Sequence, residues 1–206
     1  MRLDKISRTF NDVRGFPRVR INPGEYCVSG RNTIVYTILG SCVSACLYDP
    51  VRKIIGMNHF LLSNRRYARN LPFPVTEAGR YGIHAMELLI NAMLKEGARR
   101  EDLQAKAFGG GTMLSCSEGR DNFNCVGEVN TRFVQEFLKN EGIPLVSADL
   151  GGNRGRVVYF FHDDFSVYVR KVEKTTTSKL VDKEKQIWKR SLAIQEQKTE
   201  EPELWL

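Results

Sequence analysis

The 206-residue chain contains no apolar run of membrane-spanning length and no signal-like segment. A helical membrane anchor is excluded on that ground, and a cytoplasmic protein with reduced thiols is expected. There is no Cys-x-x-Cys pair either: Cys27, Cys42, Cys46, Cys116 and Cys125 form an odd set without the spacing of a disulfide framework or a zinc site. Cys42 and Cys46 come nearest, but residues four apart in a strand stand too far apart to share an ion easily. No metal and no other cofactor is expected. The same separation makes a Cys42–Cys46 disulfide, and a redox-sensing role built on it, a poor fit. Aromatic-studded RNA-binding segments, helix-turn-helix patterns and zinc-finger spacings are missing too, which weakens a nucleic-acid reading of the formal charge of +7. Much of that charge sits in the first 22 residues, where Arg2, Lys5, Arg8, Arg14, Arg18 and Arg20 outweigh Asp4 and Asp12 for a net +4.

What is present suffices for one core. With 42% hydrophobic residues, a single domain is expected between a basic arm over 1–22 and a charged tail over 173–206. Strands are predicted over 25–29, 35–39, 43–48, 54–62, 105–108, 145–149, 156–161 and 167–171, separated by Gly, Pro, Asn and Asp turns. Tyr81, Met86, Leu89, Ile90, Met93 and Leu94 recur at helical spacing, with Thr76 placed to cap the start and Gly97 to end the run. Val129, Phe133, Val134, Phe137 and Leu138 predict a second amphipathic helix over 128–140, and the polar segment 63–76 reads as a surface loop. This order of elements gives an α/β fold, a mixed sheet covered by at least two helices. The tail can form a charged helix over 179–195, but few apolar residues are available to anchor it. A solvated tail is expected, with a docking peptide for another protein as the alternative.

Chemistry concentrates at one corner. Cys42 follows Leu39-Gly40-Ser41 between two predicted strands, and Gly40 permits a sharp turn there. His59 lies on the strand that pairs back against 43–48; in an antiparallel hairpin Val43 falls opposite a residue near Phe60, which brings thiol and imidazole within hydrogen-bond reach. A free cysteine is only a few per cent thiolate at neutral pH, so such a partner is what makes it a nucleophile. Packing alone is the competing reading, because free cysteine is among the most buried residue types. For Cys27, Cys46 and His84 the core is the expectation, and His162, beside Asp163-Asp164, is expected to be solvated.

Leu39-Gly40-Ser41-Cys42-Val43-Ser44-Ala45-Cys46-Leu47-Tyr48-Asp49-Pro50, Gly56-Met57-Asn58-His59-Phe60-Leu61-Leu62 and Arg80-Tyr81-Gly82 through Ala85-Met86-Glu87 resemble the bacterial chemoreceptor glutamine deamidase family CheD. Lys106-Ala107-Phe108-Gly109-Gly110-Gly111-Thr112-Met113, Gly127-Glu128-Val129-Asn130 and Asp149-Leu150-Gly151-Gly152-Asn153-Arg154-Gly155-Arg156 continue the likeness in the same order. The resemblance implies a single-domain α/β sandwich over 23–172 and a cytoplasmic enzyme that hydrolyses selected glutamines of methyl-accepting chemotaxis receptors to glutamate, releasing ammonia. Cys42 is then the nucleophile and His59 the base. The family's threonine stands six residues before the cysteine, where this chain has Tyr36, with Thr37 one step later; strand alternation lets Thr37 serve only if a bulge or the Gly40 corner re-aims it, and Tyr36 otherwise offers a hydroxyl. N–H groups around Gly40, Ser41 and Cys42, with the Ser41 hydroxyl, are the expected oxyanion donors. Gly109, Gly110, Gly151, Gly152 and Arg154 mark loops that face substrate, although tight turns alone account for the glycines equally well. Receptor methyl-ester hydrolysis is a second reaction open to the same groups. A CheC-type phosphatase is an implied partner, and a non-catalytic adaptor binding it and receptors is the alternative function.

Overall fold

The computed structural model describes residues 15–62, 77–112, 126–172 and 182–190. The expectations for residues 1–14, the 63–76 loop with its Thr76 cap, Cys116, Cys125 and the end of the tail lie outside the described residues.

Among the described residues, nine strands form two sheets. One has the order β1-β3-β8-β9, built from Arg18–Arg20, Ile34–Leu39, Arg156–Phe161 and Val167–Lys171. The other runs β2-β5-β4-β6-β7, built from Tyr26–Ser29, Ile54–Asn58, Val43–Asp49, Gln104–Gly109 and Leu145–Leu150. Each sheet is mixed, since β1 pairs with β3 in parallel and β6 with β7 in parallel, while the other pairs are antiparallel. Helices α1 (Glu77–Lys95) and α2 (Val126–Asn140) cover the outer face of the five-stranded sheet. The result is a helix–sheet–sheet sandwich, in which the single sheet expected from the order of elements is divided in two.

Strand β4 explains the layering. Every residue from Val43 to Asp49 is buried, because both faces of this central strand are covered. Val43, Ala45 and Leu47 point to the helices and meet Met86, Leu89, Ile90 and Met93 of α1 and Phe133, Val134, Phe137 and Leu138 of α2. Cys46 and Tyr48 point the other way, into a second core between the sheets shared with Val35, Leu39, Ile55, Met57, Val158 and Phe160. Each such buried aliphatic or aromatic side chain contributes about 1.5–3 kcal/mol.

The two ends of the chain depart from expectation. Arg18–Arg20 belongs to the supposed arm, yet it is a strand, and Ile21 behind it is 1% exposed in the inter-sheet core. Residues 182–190 are helical, here α3, and dock on the sandwich through Trp188, which is 4% exposed in the same core. A solvated tail does not describe this segment: one indole supplies the apolar anchor that the composition lacked.

Candidate active site

The chain leaves β3 at Leu39 and enters β4 at Val43, so Gly40-Ser41-Cys42 is the crossing from one sheet to the other. Its three carbonyls are all held from one side. Gly111 N–H donates to Gly40 O at 2.7 Å, Asn130 Nδ2 to Ser41 O at 2.8 Å, and Gly110 N–H to Cys42 O at 2.8 Å. Asn130 is itself fixed by accepting the Leu62 N–H at 2.9 Å, and it is fully buried. With the carbonyls turned away, the N–H groups of Gly40 and Ser41 face the space beside Cys42. This corner is an anion-binding nest made of backbone.

Gly109 and Gly110 serve that clamp. Gly109 has φ +112° and a Cβ there would overlap the Cys42 carbonyl oxygen, so only glycine lets β6 end against the corner. Both glycines are buried, a placement that makes them supports behind Cys42 and not loop surface. Gly151, Gly152 and Arg154 lie at the end of β7 with Gly152 and Arg154 exposed. Arg156, 1% exposed, reaches from β8 to carbonyls of Gly109, Asp149 and Gly151 and braces these turns.

His59 follows β5. Asn58 Oδ1 accepts the Ala45 N–H, which interrupts the β4–β5 ladder for one step, and pairing resumes at Val43 and Phe60. The His59 backbone turns instead to residues 24 and 25, donating to Glu25 O and accepting from Gly24 N–H. Its side chain continues the inter-sheet face of Ile55 and Met57. Thr37 lies on the same inner face, between Val35 and Leu39, with no bulge in β3, while Tyr36 is on the opposite face and stacks on Tyr159 with ring centroids 5.5 Å apart. The re-aiming expected for Thr37 is unnecessary: alternation does separate it from Tyr36, but Thr37 is the one of the two that faces His59.

Hydrogen-bond accounting fixes the imidazole tautomer. Thr37 Oγ1 donates its single proton to Ile21 O at 2.8 Å, so at 2.8 Å from His59 Nδ1 it accepts, and Nδ1 carries the hydrogen. Nε2 therefore holds a lone pair; it is buried and makes no hydrogen bond among the described residues. Cys42 Sγ, a ring nitrogen of His59 and a carboxylate oxygen of Glu184 lie within 4.8 Å of one another.

Glu184, from α3, is the residue that sequence reasoning missed. Its Oε1 accepts the Gly40 N–H at 2.8 Å, and its Oε2 accepts the Ser41 N–H and the Ser41 hydroxyl, each at 2.7 Å. No local signal marks it, since a single acid 143 residues from Ser41 in a Lys/Glu-rich tail looks like any other. Among the described residues, Cys42, His59 and Glu184 are the donor set that could take a metal ion. A corner lined by N–H groups, however, suits an anion and repels a cation.

Electrostatics follow from this enclosure. Burial pushes the Cys42 thiol well above its ordinary range, and the Glu184 charge and hydrogen bond push it further. Burial, then the positive charges of Arg20 and Lys183, pull His59 down to about 3. Thiol and imidazole are both neutral here. Burial raises Cys46 to about 12 and Cys27 to about 11, which disfavours the thiolate at both. Burial raises the phenol of Tyr81, a partly exposed residue of α1. A cavity of about 220 Å³ beside the imidazole, bordered by Arg20, Ile21, Thr37 and Lys183, has room for several waters.

The remaining histidines reverse their expected places. His84 is exposed on α1. His162 is 5% exposed, with Nε2 donating to Lys53 O at 2.7 Å.

Comparison with known proteins decides the family. The model described as CheD chemotactic sensory transduction matches residues 64–171, and a Geobacter sulfurreducens protein named probable chemoreceptor glutamine deamidase CheD 1 is 53% identical over 188 residues, 91% of this chain and 94% of its own. The chain belongs to the CheD family. Shewanella oneidensis has a CheD protein, probable chemoreceptor glutamine deamidase CheD 2, that is 51% identical over 156 residues, 75% of this chain and 77% of its own. The CheD protein of Rhizobium etli is 50% identical over 145 residues, 70% and 74% of the two chains. No described helix of this CheD chain is long and apolar enough to cross a membrane.

Proposed function

We propose that this CheD protein hydrolyses selected glutamine side chains of methyl-accepting chemotaxis receptors to glutamate in the cytoplasm. The observation that carries the reading is the Gly40–Ser41 nest beside a cysteine and an Nδ1–H imidazole, a thiol, a base and oxyanion donors at one corner. His59 Nε2 takes the Cys42 proton, and the thiolate attacks the glutamine Cδ. The carbonyl oxygen, now an oxyanion, is held by the Gly40 and Ser41 N–H groups and the Ser41 hydroxyl. The tetrahedral intermediate collapses as the imidazolium protonates the departing nitrogen, and ammonia leaves. A water deprotonated by Nε2 then hydrolyses the thioester, returning Cys42 and glutamate. Thr37 orients the imidazole throughout by holding the Nδ1 hydrogen. A glutamate methyl ester presents the same planar acyl carbon, with one extra methyl on a better leaving group, so receptor methyl-ester hydrolysis is a second activity of the same groups.

The test incubates purified protein with receptor cytoplasmic fragments and follows, by peptide mass spectrometry, the mass gain that accompanies replacement of –NH2 by –OH. Conversion by the wild type and none by Cys42→Ala is expected; equal conversion by both removes Cys42 as nucleophile. The family likeness also supports docking of a CheC-type phosphatase. Wild type that binds such a partner and receptors but never converts glutamine is the adaptor result.

A further inference from the structure

We propose that α3 is an internal product analogue: the Glu184 carboxylate occupies the subsite of the substrate carboxamide, and a receptor glutamine enters only when 182–190 leaves. The proposal rests on the deamidase reading for the identity of that subsite. Three observations support it.

The first is chemical. The product of glutamine deamidation is a glutamate side chain, and a glutamate side chain is what the nest holds, through three hydrogen bonds of 2.7–2.8 Å to the donors expected to receive the reacting carbonyl. A Cβ on Gly40 would sit 2.6 Å from Oε2, so the missing side chain at this glycine is the space the carboxylate fills.

The second is access. Cys42 is 0% and His59 2% exposed with α3 in place. A protein substrate cannot reach a sulfur atom with no exposed surface. Glu184 also makes no hydrogen bond to His59 among the described residues, since Nδ1 is taken by Thr37 and Nε2 has no partner there; a carboxylate beside Cys42 raises the thiol, opposite to activation. Its role is that of an occupant.

The third is attachment. Trp188 lies one helical turn beyond Glu184, in the inter-sheet core, and Ile187 packs against that core beside it. Nine residues join Val172 to Asp182, a connection short enough for an effective concentration on the order of millimolar. A receptor segment therefore competes with a tethered ligand, and the closed form is the resting form.

The experiment uses full-length Glu184→Gln, which presents its own carboxamide at the reactive corner. That introduced amide should be converted to glutamate at a rate independent of protein concentration, read by mass spectrometry of the peptide carrying position 184, and the double variant with Cys42→Ala should keep the amide. Receptor conversion and Cys42 alkylation by iodoacetamide are measured alongside on wild type, Glu184→Gln and Glu184→Ala. Alkylation is expected to rise about tenfold or more in Glu184→Ala, as the charge-assisted bonds holding the helix are lost. An introduced amide that persists while receptor conversion exceeds that of wild type still supports an inhibitory Glu184. An introduced amide that persists with receptor conversion at the wild-type rate overturns the proposal and leaves the deamidase reading intact. If no protein converts any glutamine, the deamidase reading fails, and alkylation decides alone: faster in Glu184→Ala keeps α3 as a gate over Cys42, equal rates remove it.

Discussion

Thr37 and His59 show how one hydroxyl sets the tautomer of an imidazole. Because the threonine proton is committed to the Ile21 carbonyl, its oxygen accepts from Nδ1 and keeps Nε2 unprotonated. Thr37→Val removes that acceptor at nearly constant volume and leaves a buried Nδ1–H unpaired, at a cost of about 1–3 kcal/mol, or lets the other tautomer form. The expected outcome is a fall in kcat of about 10²-fold or more with little change in KM, and recovery of most of the rate in Thr37→Ser; a Thr37→Val enzyme at full rate would remove the orienting role. His59 also imposes a pH signature on stability. Its folded pKa is about 3 against an ordinary 6.5, so between those values the unfolded chain takes up a proton that the folded chain refuses. Stability from this group is complete above the upper value and declines as pH falls through the window. His59→Gln should therefore lose less in urea midpoint than wild type when unfolding at about pH 7 is compared with about pH 4, a difference on the order of a few kcal/mol at most.

The elements that read clearly from sequence are those whose partners are near in the chain. The β4–β5 hairpin register, with Val43 opposite Phe60, and the apolar stripes of α1 and α2 follow from local alternation and helical spacing. What did not read was pairing between distant segments. Three residues, Arg-Val-Arg, give no strand signal, and β1 exists because β3 offers it an edge. Division into two sheets depends on β3 pairing with β8, more than a hundred residues later, and that division is what sets Thr37 inward and Tyr36 outward. Arg156 shows the consequence for stability. From β8 in one sheet its guanidinium satisfies carbonyls at the ends of β6 and β7 in the other, including Gly109, the residue against which Cys42 rests. Truncation by Arg156→Ala strands those acceptors in a buried site and should cost about 3–5 kcal/mol. Arg156→Lys, with a single point donor for several diverging carbonyls, should recover less than half of that in urea unfolding; full recovery would show that charge, not the fork, joins the sheets.

At the scale of the whole molecule, the Gly40–Cys42 corner and the described part of the tail meet through Glu184 and Trp188. The corner was legible because Gly40, Ser41, Cys42 and His59 are close in sequence; its closure was not, because it rests on one acid and one indole in a segment whose composition reads as solvated. Trp188 separates these contributions without touching the chemistry, since it anchors α3 in the inter-sheet core while Glu184 alone meets the nest. Trp188→Ala removes most of the apolar area that holds the helix down, and a large buried side chain lost in this way typically costs about 3–5 kcal/mol. Because α3 contributes no strand to either sheet and is held by a single aromatic anchor, that loss should appear as local undocking and not as global unfolding. The Cys42 thiol then loses both causes of its elevation, burial first and the Glu184 charge second, so its titration moves down towards the ordinary cysteine range. The alkylation rate of Cys42, measured against pH, should shift its rise to lower pH and increase at neutral pH, while the urea midpoint of the sandwich followed by far-ultraviolet circular dichroism changes little. An unshifted alkylation profile in Trp188→Ala would mean that the sandwich keeps the thiol buried by itself, and that the helix lies over a site already closed.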